Sequence, residues 1–168
     1  MTSLVIDVRT ARASDAGDLS EVYETAWREA YSGIIPGLTL ERMIIRRSAK
    51  WWREVMRRRA ILVLDVDGIV AGYATFAPAS GRGHAGAAEI QEIYLRPEYQ
   101  GIGLGSQLLT AVLKRVRIRG YGRALVRALA DNDRATTFYA HRGGRMIART
   151  DETLGGRTLP CLWYEFRA

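Results

Sequence analysis

The sequence predicts an α/β protein, a mixed sheet covered by helices on both faces. Two observations carry that expectation. Segments of period-two alternation or short apolar runs are interleaved with segments whose apolar residues recur every three or four positions. Their order is strand, helix, helix, three strands, helix, strand, helix and two strands, with no repeat and no linker. A chain of 168 residues, 48% hydrophobic and 26% charged, can bury one substantial core and is too apolar for disorder. Residues 1–168 are therefore expected to form a single domain.

The elements follow in order. "LVIDVRTA" sets Leu4, Ile6 and Val8 against Val5, Asp7 and Arg9, the period of a half-buried strand. Ser14-Asp15 is a helix N-cap signal, after which Leu19, Val22, Tyr23, Ala26, Trp27 and Ala30 fall on one helical face. "SGIIPG" breaks that helix. "TLERMIIRRSAKWWREVMRRR" reads as one or two more, with Leu40, Met43, Ile44, Trp51, Trp52 and Val55 as apolar contacts. Two apolar runs then flank Asp67-Gly68, a dipeptide that tolerates the positive φ of a tight hairpin turn. "ASGRGHAGA" is a glycine-rich loop. After it come strand "EIQEIYL", a glycine stretch, helix "SQLLTAVLKRVRIR" closed by Gly120, and strand "RALVRAL". A short helix in "DNDRATTFYAHRG" ends at Gly143, and strands "RMIART" and "TLPCLWYEF" are joined by "DETLGGR".

Composition excludes several classes. No apolar run approaches the ~20 residues of a membrane span, and "MTSLVIDVRTARASD" lacks the basic and apolar regions of a secretory signal. One cysteine, Cys161, leaves no internal disulfide framework and no multi-cysteine zinc site, and it reads as a buried apolar residue. With only two scattered histidines, His84 and His141, no metal is expected. On these features the protein is expected in the cytoplasm, without a membrane partner. The formal charge of +7 would suit nucleic acid or an anionic cofactor. The arginines are nevertheless spread along "RRSAKWWREVMRRR", "KRVRIRG" and "HRGGR", as on solvated helix faces, so nucleic acid is not the expected partner.

The stretch that carries chemistry is "QGIGLGS", Gln100 to Ser106. A dinucleotide fingerprint needs glycines at its first, third and sixth positions. Counted from Gly101 the sixth is Ser106, and counted from Gly103 it is Leu108, so both registers fail. A nucleotide-hydrolase P-loop needs a lysine before Ser or Thr, and Gly105-Ser106 has none. What remains is three glycines at alternate positions ahead of a helix, whose unpaired N–H groups and partial positive charge attract anions. With no Cβ in the way those N–H groups can close on a pyrophosphate. Ser106 adds a hydroxyl.

Gln100, Gly103 and Gly105, as Q-x-x-G-x-G, resemble the acyl-CoA pyrophosphate signature of the GNAT superfamily of N-acetyltransferases. The preceding "IYLRPEYQG" is similar to that family's approach to the loop. Downstream, "NDRATTFYAHRGG" resembles its second motif in Asn132, Ala135, Phe138, Tyr139 and Gly143. Gly144 departs from it, standing where the family usually has an aromatic residue. The element order agrees along nearly the whole chain. The resemblance implies a mixed, mostly antiparallel sheet with a splayed central strand, and acetyl-CoA as co-substrate. It also implies that main-chain groups around Ile93, Tyr94 and Leu95 pair with the pantetheine arm like an added strand. Gly101, Ile102, Gly103, Leu104, Gly105 and Ser106 would cradle the pyrophosphate. Asn132 would bond the arm, and Arg96, Gln100 and Arg134 would meet phosphates.

Acetyl transfer to an amine poses two proton problems: the amine must be neutral, and the departing thiolate is helped by a proton. The Tyr139 phenol suits the second, with Phe138 facing the core and Tyr139 the cleft. Glu89 and Glu92, on the strand before the glycines, are candidates for the base. Strict alternation would put Glu89, Gln91 and Ile93 on one face and Ile90, Glu92 and Tyr94 on the other. Neither face is cleanly apolar, which points to a bulge. Either glutamate also has a plain reading as a solvated strand residue. The first helix and its loop would wall the acceptor, with Trp27 and Tyr31 lining it. The expected acceptor is a primary amine of a small molecule: a polyamine, an amino-acid-like compound or a xenobiotic. The alternatives are a protein or peptide N-acetyltransferase, or a non-catalytic acyl-CoA-binding module. Pairing of the last strands would allow a homodimer.

Overall fold

The computed structural model describes residues 3–168. Seven strands form one sheet in the order β1-β2-β3-β4-β5-β7-β6. They are β1 (Ile6–Thr10), β2 (Ile61–Val66), β3 (Ile69–Pro78), β4 (Ala87–Leu95), β5 (Arg123–Leu129), β6 (Arg145–Leu154) and β7 (Arg157–Arg167). Every neighbouring pair is antiparallel except β4 and β5. The helices are α1 (Ala16–Tyr31), α2 (Gly37–Arg46), α3 (Ala49–Met56), α4 (Leu104–Ile118) and α5 (Asp133–His141). The mixed sheet with helices on both faces is the expected architecture.

Each face carries its own core. Leu104, Leu108, Leu109, Val112 and Val116 form the buried stripe of α4 and pack on Leu62, Leu64, Ile90 and Val126 of the sheet. On the opposite face Leu19, Val22, Tyr23 and Trp27 of α1 meet Leu40, Ile44 and Trp52 over Ile61, Val63 and Tyr73. The periodicity of "AGDLSEVYETAWREAY" therefore marks the buried face correctly.

Several local details refine the sequence reading. The long Arg- and Trp-rich segment is two helices. Arg47 leaves the helical conformation, Ser48 is extended, and its hydroxyl accepts from the Trp51 N–H at 3.4 Å to start α3. Ser14-Asp15 forms a 3-10 turn instead of a simple cap. The Asp15 carboxylate accepts from the Arg12 N–H at 2.7 Å and from the Arg9 guanidinium at 2.8 and 3.0 Å. Asp67 and Gly68 both take positive φ, 51° and 84°, as a two-residue hairpin turn requires.

The decisive irregularity lies in β4. Thr75 pairs with Glu92 and Phe76 with Ile90, so Gln91 is the extra residue of a bulge. The one-residue slip sorts the strand. Ile90, Ile93 and Leu95 join the core under α4, while Tyr94 joins the core under α1. Glu89 and Glu92, opposed under strict alternation, come to the same side.

Candidate active site

β4 and β5 are hydrogen-bonded only between Ala87–Ile90 and Arg123–Val126. Beyond these pairs the strands part, leaving β4 from Gln91 onward without a strand partner on that side. A cavity opens on each face of the split. The one beside α4 and α5 measures about 340 Å³, and the one beneath α1–α3 about 470 Å³. Tyr31, Gln91, Glu92, Tyr94 and Arg127 line both, so the two chambers meet there.

The loop-side cavity is walled by the unpaired stretch of β4, including Ile93, Tyr94 and Leu95, and by Gln100, Gly101, Gly103, Gly105 and Ser106. Gly101 and Gly103 have φ of 77° and 87°, a left-handed backbone that places α4 with its N-terminus at the cavity. Gly105 has a different reason: a Cβ there would lie 3.3 Å from the Phe138 ring. Together these explain why three glycines occur where a turn needs fewer. The Ser106 hydroxyl is buried and, among the described residues, has no hydrogen-bond partner. Asn132 accepts from the Ala135 N–H at 3.2 Å as the cap of α5. Arg134 reaches Glu29 at 2.8 Å and also Gln100, whose amide donates to the Leu95 carbonyl at 3.1 Å.

The side chains of three of the expected cofactor residues point away from the cavity, which for Ile102 and Leu104 leaves their main-chain groups in the loop. Arg96 turns toward α1, donating to the Val70 carbonyl at 2.8 Å and to Glu21 at 3.2 Å, and it does not line the cavity. Its charge is satisfied by those partners and by Asp18 at 3.7 Å. The Leu104 side chain is in the core, because the first residue of α4 begins its apolar stripe, and Ile102 projects into solvent. Arg142, which the sequence reading passed over, does line the cavity and sits over the Phe138 ring.

The expected orientation of Phe138 and Tyr139 needs correction. Both border the cavity, and Tyr139 is the more buried of the two, packed against Tyr164 and Phe166. Among the described residues its hydroxyl has no hydrogen-bond partner. Burial pushes its ionisation well above the usual phenol range, so the phenol keeps its proton at neutral pH.

The cap-side cavity is aromatic and charged. Trp27, Tyr31, Trp51, Trp52 and Tyr94 line it, so the two acceptor-side residues expected from the sequence are there. The Tyr31 and Tyr94 hydroxyls are 3.4 Å apart. Glu92 forms an ion pair with Arg47 at 2.8 Å and accepts from the Tyr73 hydroxyl at 3.2 Å. Burial raises its carboxyl above the ordinary range, with Arg47 opposing that rise. Arg47 also lies over the Trp51 ring, 4.0 Å from its centre. Glu89 lines this cavity alone. Arg127 pairs with Glu152 at 3.4 Å. Cys161 is buried at the wall, its thiol pushed up to about 11 by burial and the neighbouring Glu152. Neither His84 nor His141 lines either chamber.

The sequence reading missed Arg47, Arg59, Trp51, Trp52 and Glu152 as cavity residues. The only local signal was a tryptophan pair amid arginines, which reads equally well as an ordinary amphipathic helix.

A glycine loop at a helix N-terminus, joined through a split sheet to a charged aromatic chamber, makes a cleft of two connected cavities. The profile described as "Acetyltransferase (GNAT) family" matches residues 19–143. The chain belongs to this family and is a GNAT-type N-acetyltransferase. It is 26% identical over 153 residues to the uncharacterized N-acetyltransferase YuaI of Bacillus subtilis, covering 91% of this chain and 88% of that protein. An uncharacterized N-acetyltransferase of Mycobacterium tuberculosis is 36% identical over 98 residues, 58% of this chain and 60% of that one. Among solved structures, the PaiA N-acetyltransferase of Thermoplasma acidophilum in complex with coenzyme A superposes with a TM-score of 0.79. That match has 21% identity and covers 98% of this chain and 99% of the other. YncA of Salmonella typhimurium, solved with its cofactor acetyl-CoA, gives 0.71 at 21% identity over 97% and 94% of the two chains.

Proposed function

We propose that this chain, acting as one domain, moves the acetyl group of acetyl-CoA directly to a primary amine of a small molecule. The observation that carries this reading is the meeting of the two cavities at Glu92 and Tyr94, on the strand that the bulge and the split expose. Acetyl-CoA, when bound, supplies an activated thioester to the loop-side cavity. The residues present fit it: the α4 N-terminus and the Gly101–Gly105 backbone offer N–H donors, and Ser106 offers a buried hydroxyl that lacks a protein partner. Gln100, Asn132, Arg134 and Arg142 line the same cavity and would hold the arm and its phosphates. The β4 edge beyond Ile90 provides main-chain groups for an extended ligand.

Glu92 is assigned as the base and Tyr139 as the acid. The amine nitrogen bonds to the acyl carbon as the carbon–sulfur bond breaks. The proton lost by the amine goes to Glu92, directly or through water, and the sulfur leaves with a proton from Tyr139. Glu92 is favoured over Glu89 because it borders both chambers, and burial raises its carboxyl above the ordinary range, which makes it a stronger proton acceptor than an exposed glutamate. Trp27 and Tyr31 wall the acceptor. An acetyl-CoA consumption assay against amines, polyamines, amino acids, aminoglycosides and N-terminal peptides tests the assignment. Turnover with a small amine is expected; turnover with peptides alone would overturn the small-molecule reading.

A further inference from the structure

The charges lining the cap-side cavity do not cancel locally. Three arginines and three glutamates face it. Arg47 pairs with Glu92 and Arg127 with Glu152. Arg59 donates only to the neutral amide of Gln91, at 2.6 Å, and Glu89 has no ion-pair partner among the described residues. One cation and one carboxylate are thus left over. They flank the bulge, Arg59 on Gln91 and Glu89 two residues before it. Arg59 closes an exposed run, Arg57 to Arg59, in which, among the described residues, only Arg57 forms an ion pair, with Glu54 at 3.7 Å.

A second observation concerns hydrogen bonding. Trp27 and Trp52 line the same cavity, and the indole N–H of each is buried without an acceptor among the described residues. An indole N–H can only donate. A ligand rich in donors alone, such as a polyamine, leaves both unsatisfied. It would also meet the three arginines that line the chamber, and the ring face where an extra ammonium would rest is already covered by Arg47 at 4.0 Å from Trp51.

We propose that the acceptor is an apolar α-amino acid or a close analogue, whose primary amine lies beside a carboxylate. This rests on the acetyltransferase reading above. The carboxylate meets Arg59, and the amine meets Glu89 on its way to Glu92. The apolar body fills the space among Trp27, Ile35, Met43, Trp52 and Leu154. The adjacency of Arg59, Gln91 and Glu92 suits an anion only two bonds from the reacting nitrogen, which a peptide N-terminus does not possess.

The test uses the full chain with acetyl-CoA. Acceptors are L-leucine, L-methionine, L-phenylalanine and L-tryptophan, their carboxamides, their decarboxylated amines, and spermidine. The amino acids are expected to exceed their amides and decarboxylated amines by about tenfold or more in kcat/KM, chiefly through KM, since a hydrogen-bonded charge is worth that factor. Arg59→Ala is expected to bring that ratio close to one, and Arg59→Lys to restore part of it. Spermidine or the decarboxylated amines matching the amino acids would overturn the proposal, as would Arg59→Ala slowing every acceptor equally. Calorimetric titration separates the two levels. Acetyl-CoA binding with transfer confined to amines that lack a carboxylate overturns the amino-acid assignment alone. Absence of acetyl-CoA binding overturns the reading beneath it.

Discussion

The two chambers are built in opposite ways. The loop-side cavity takes most of its walls from two stretches, Ile93 to Ser106 and Asn132 to Arg142, with α1 and β5 completing it, and much of what it offers is main chain. The cap-side cavity is assembled from side chains on α1, α2, α3, β4, β5, β6 and β7. Main-chain N–H groups exist whatever residue carries them, so the first construction recognises a fixed ligand with little demand on sequence beyond glycine. The second sets its chemistry by which side chains arrive, and it can be retuned one residue at a time. A donor common to a whole family suits the first, and an acceptor particular to one protein suits the second.

Substitution at the junction should have the largest effect. Glu92→Gln is expected to lower kcat by about 10³-fold, within the range of general base catalysis. Because burial raises the Glu92 carboxyl, wild-type kcat should climb with pH along a limb lying above the ordinary glutamate range, as the carboxylate forms. The variant should lose that limb. Glu89→Gln should instead act mainly on acceptor KM. If both variants lose kcat equally, the distinction between a junction carboxylate and a chamber carboxylate fails. Tyr139→Phe comes next, at about 10²-fold in kcat. The ring retains its packing on Tyr164 and Phe166, so stability should hold. The defect should shrink with a thioester whose thiol is a better leaving group, and an unchanged ratio between donors would remove the acid assignment.

Ser106→Ala probes the loop side alone. Loss of one hydrogen bond to a charged ligand should weaken acetyl-CoA binding about tenfold. The free protein should melt at the same temperature or higher, because the variant removes a buried hydroxyl that has no partner. A lower melting temperature with unchanged affinity would assign Ser106 to the fold and not to the ligand.

The same contrast explains what could be read in the sequence. The Gly101, Gly103 and Gly105 spacing, the Asp67-Gly68 turn and the apolar stripe of α1 are local patterns, and each maps onto a local structure. Even the bulge left a trace, because Glu89 to Tyr94 gave no clean face until Gln91 was taken out of register. Arg96 was misplaced because its partners, Asp18 and Glu21, lie on α1 more than seventy residues away. Phe138 and Tyr139 are both apolar enough to be buried, and only the positions of Gly105, Tyr164 and Phe166 decide which ring goes deeper. The acceptor chamber was the least legible for the same reason. Arg59 meets Gln91, and Arg47 meets Glu92, through tertiary packing that no periodicity announces.

The smallest expected effect lies away from both chambers and tests whether site and scaffold are separable. Asp15 ties the start of α1 to β1 through the Arg9 guanidinium, which also donates to Asp65 at 3.0 Å. The Arg9 hydrogen bond holds the Asp15 carboxyl below its ordinary range, against the cost of burial. A depressed folded-state value means the unfolded chain binds the proton more readily. The pair therefore stabilises the fold above the ordinary aspartate range, and that contribution is lost as pH falls toward the depressed value. Asp15→Asn keeps the shape and part of the hydrogen bonding but removes the charge. It should cost about 1 kcal/mol near neutral pH, the difference between a charge-assisted and a neutral hydrogen bond. Denaturant titrations should show the wild-type and variant curves converging as pH is lowered through that window, while kcat and both KM values stay at their wild-type levels at neutral pH. A change in kcat would show that the β1–α1 corner is coupled to Tyr31 at the far end of the same helix, and the separation of scaffold from chambers would have to be given up.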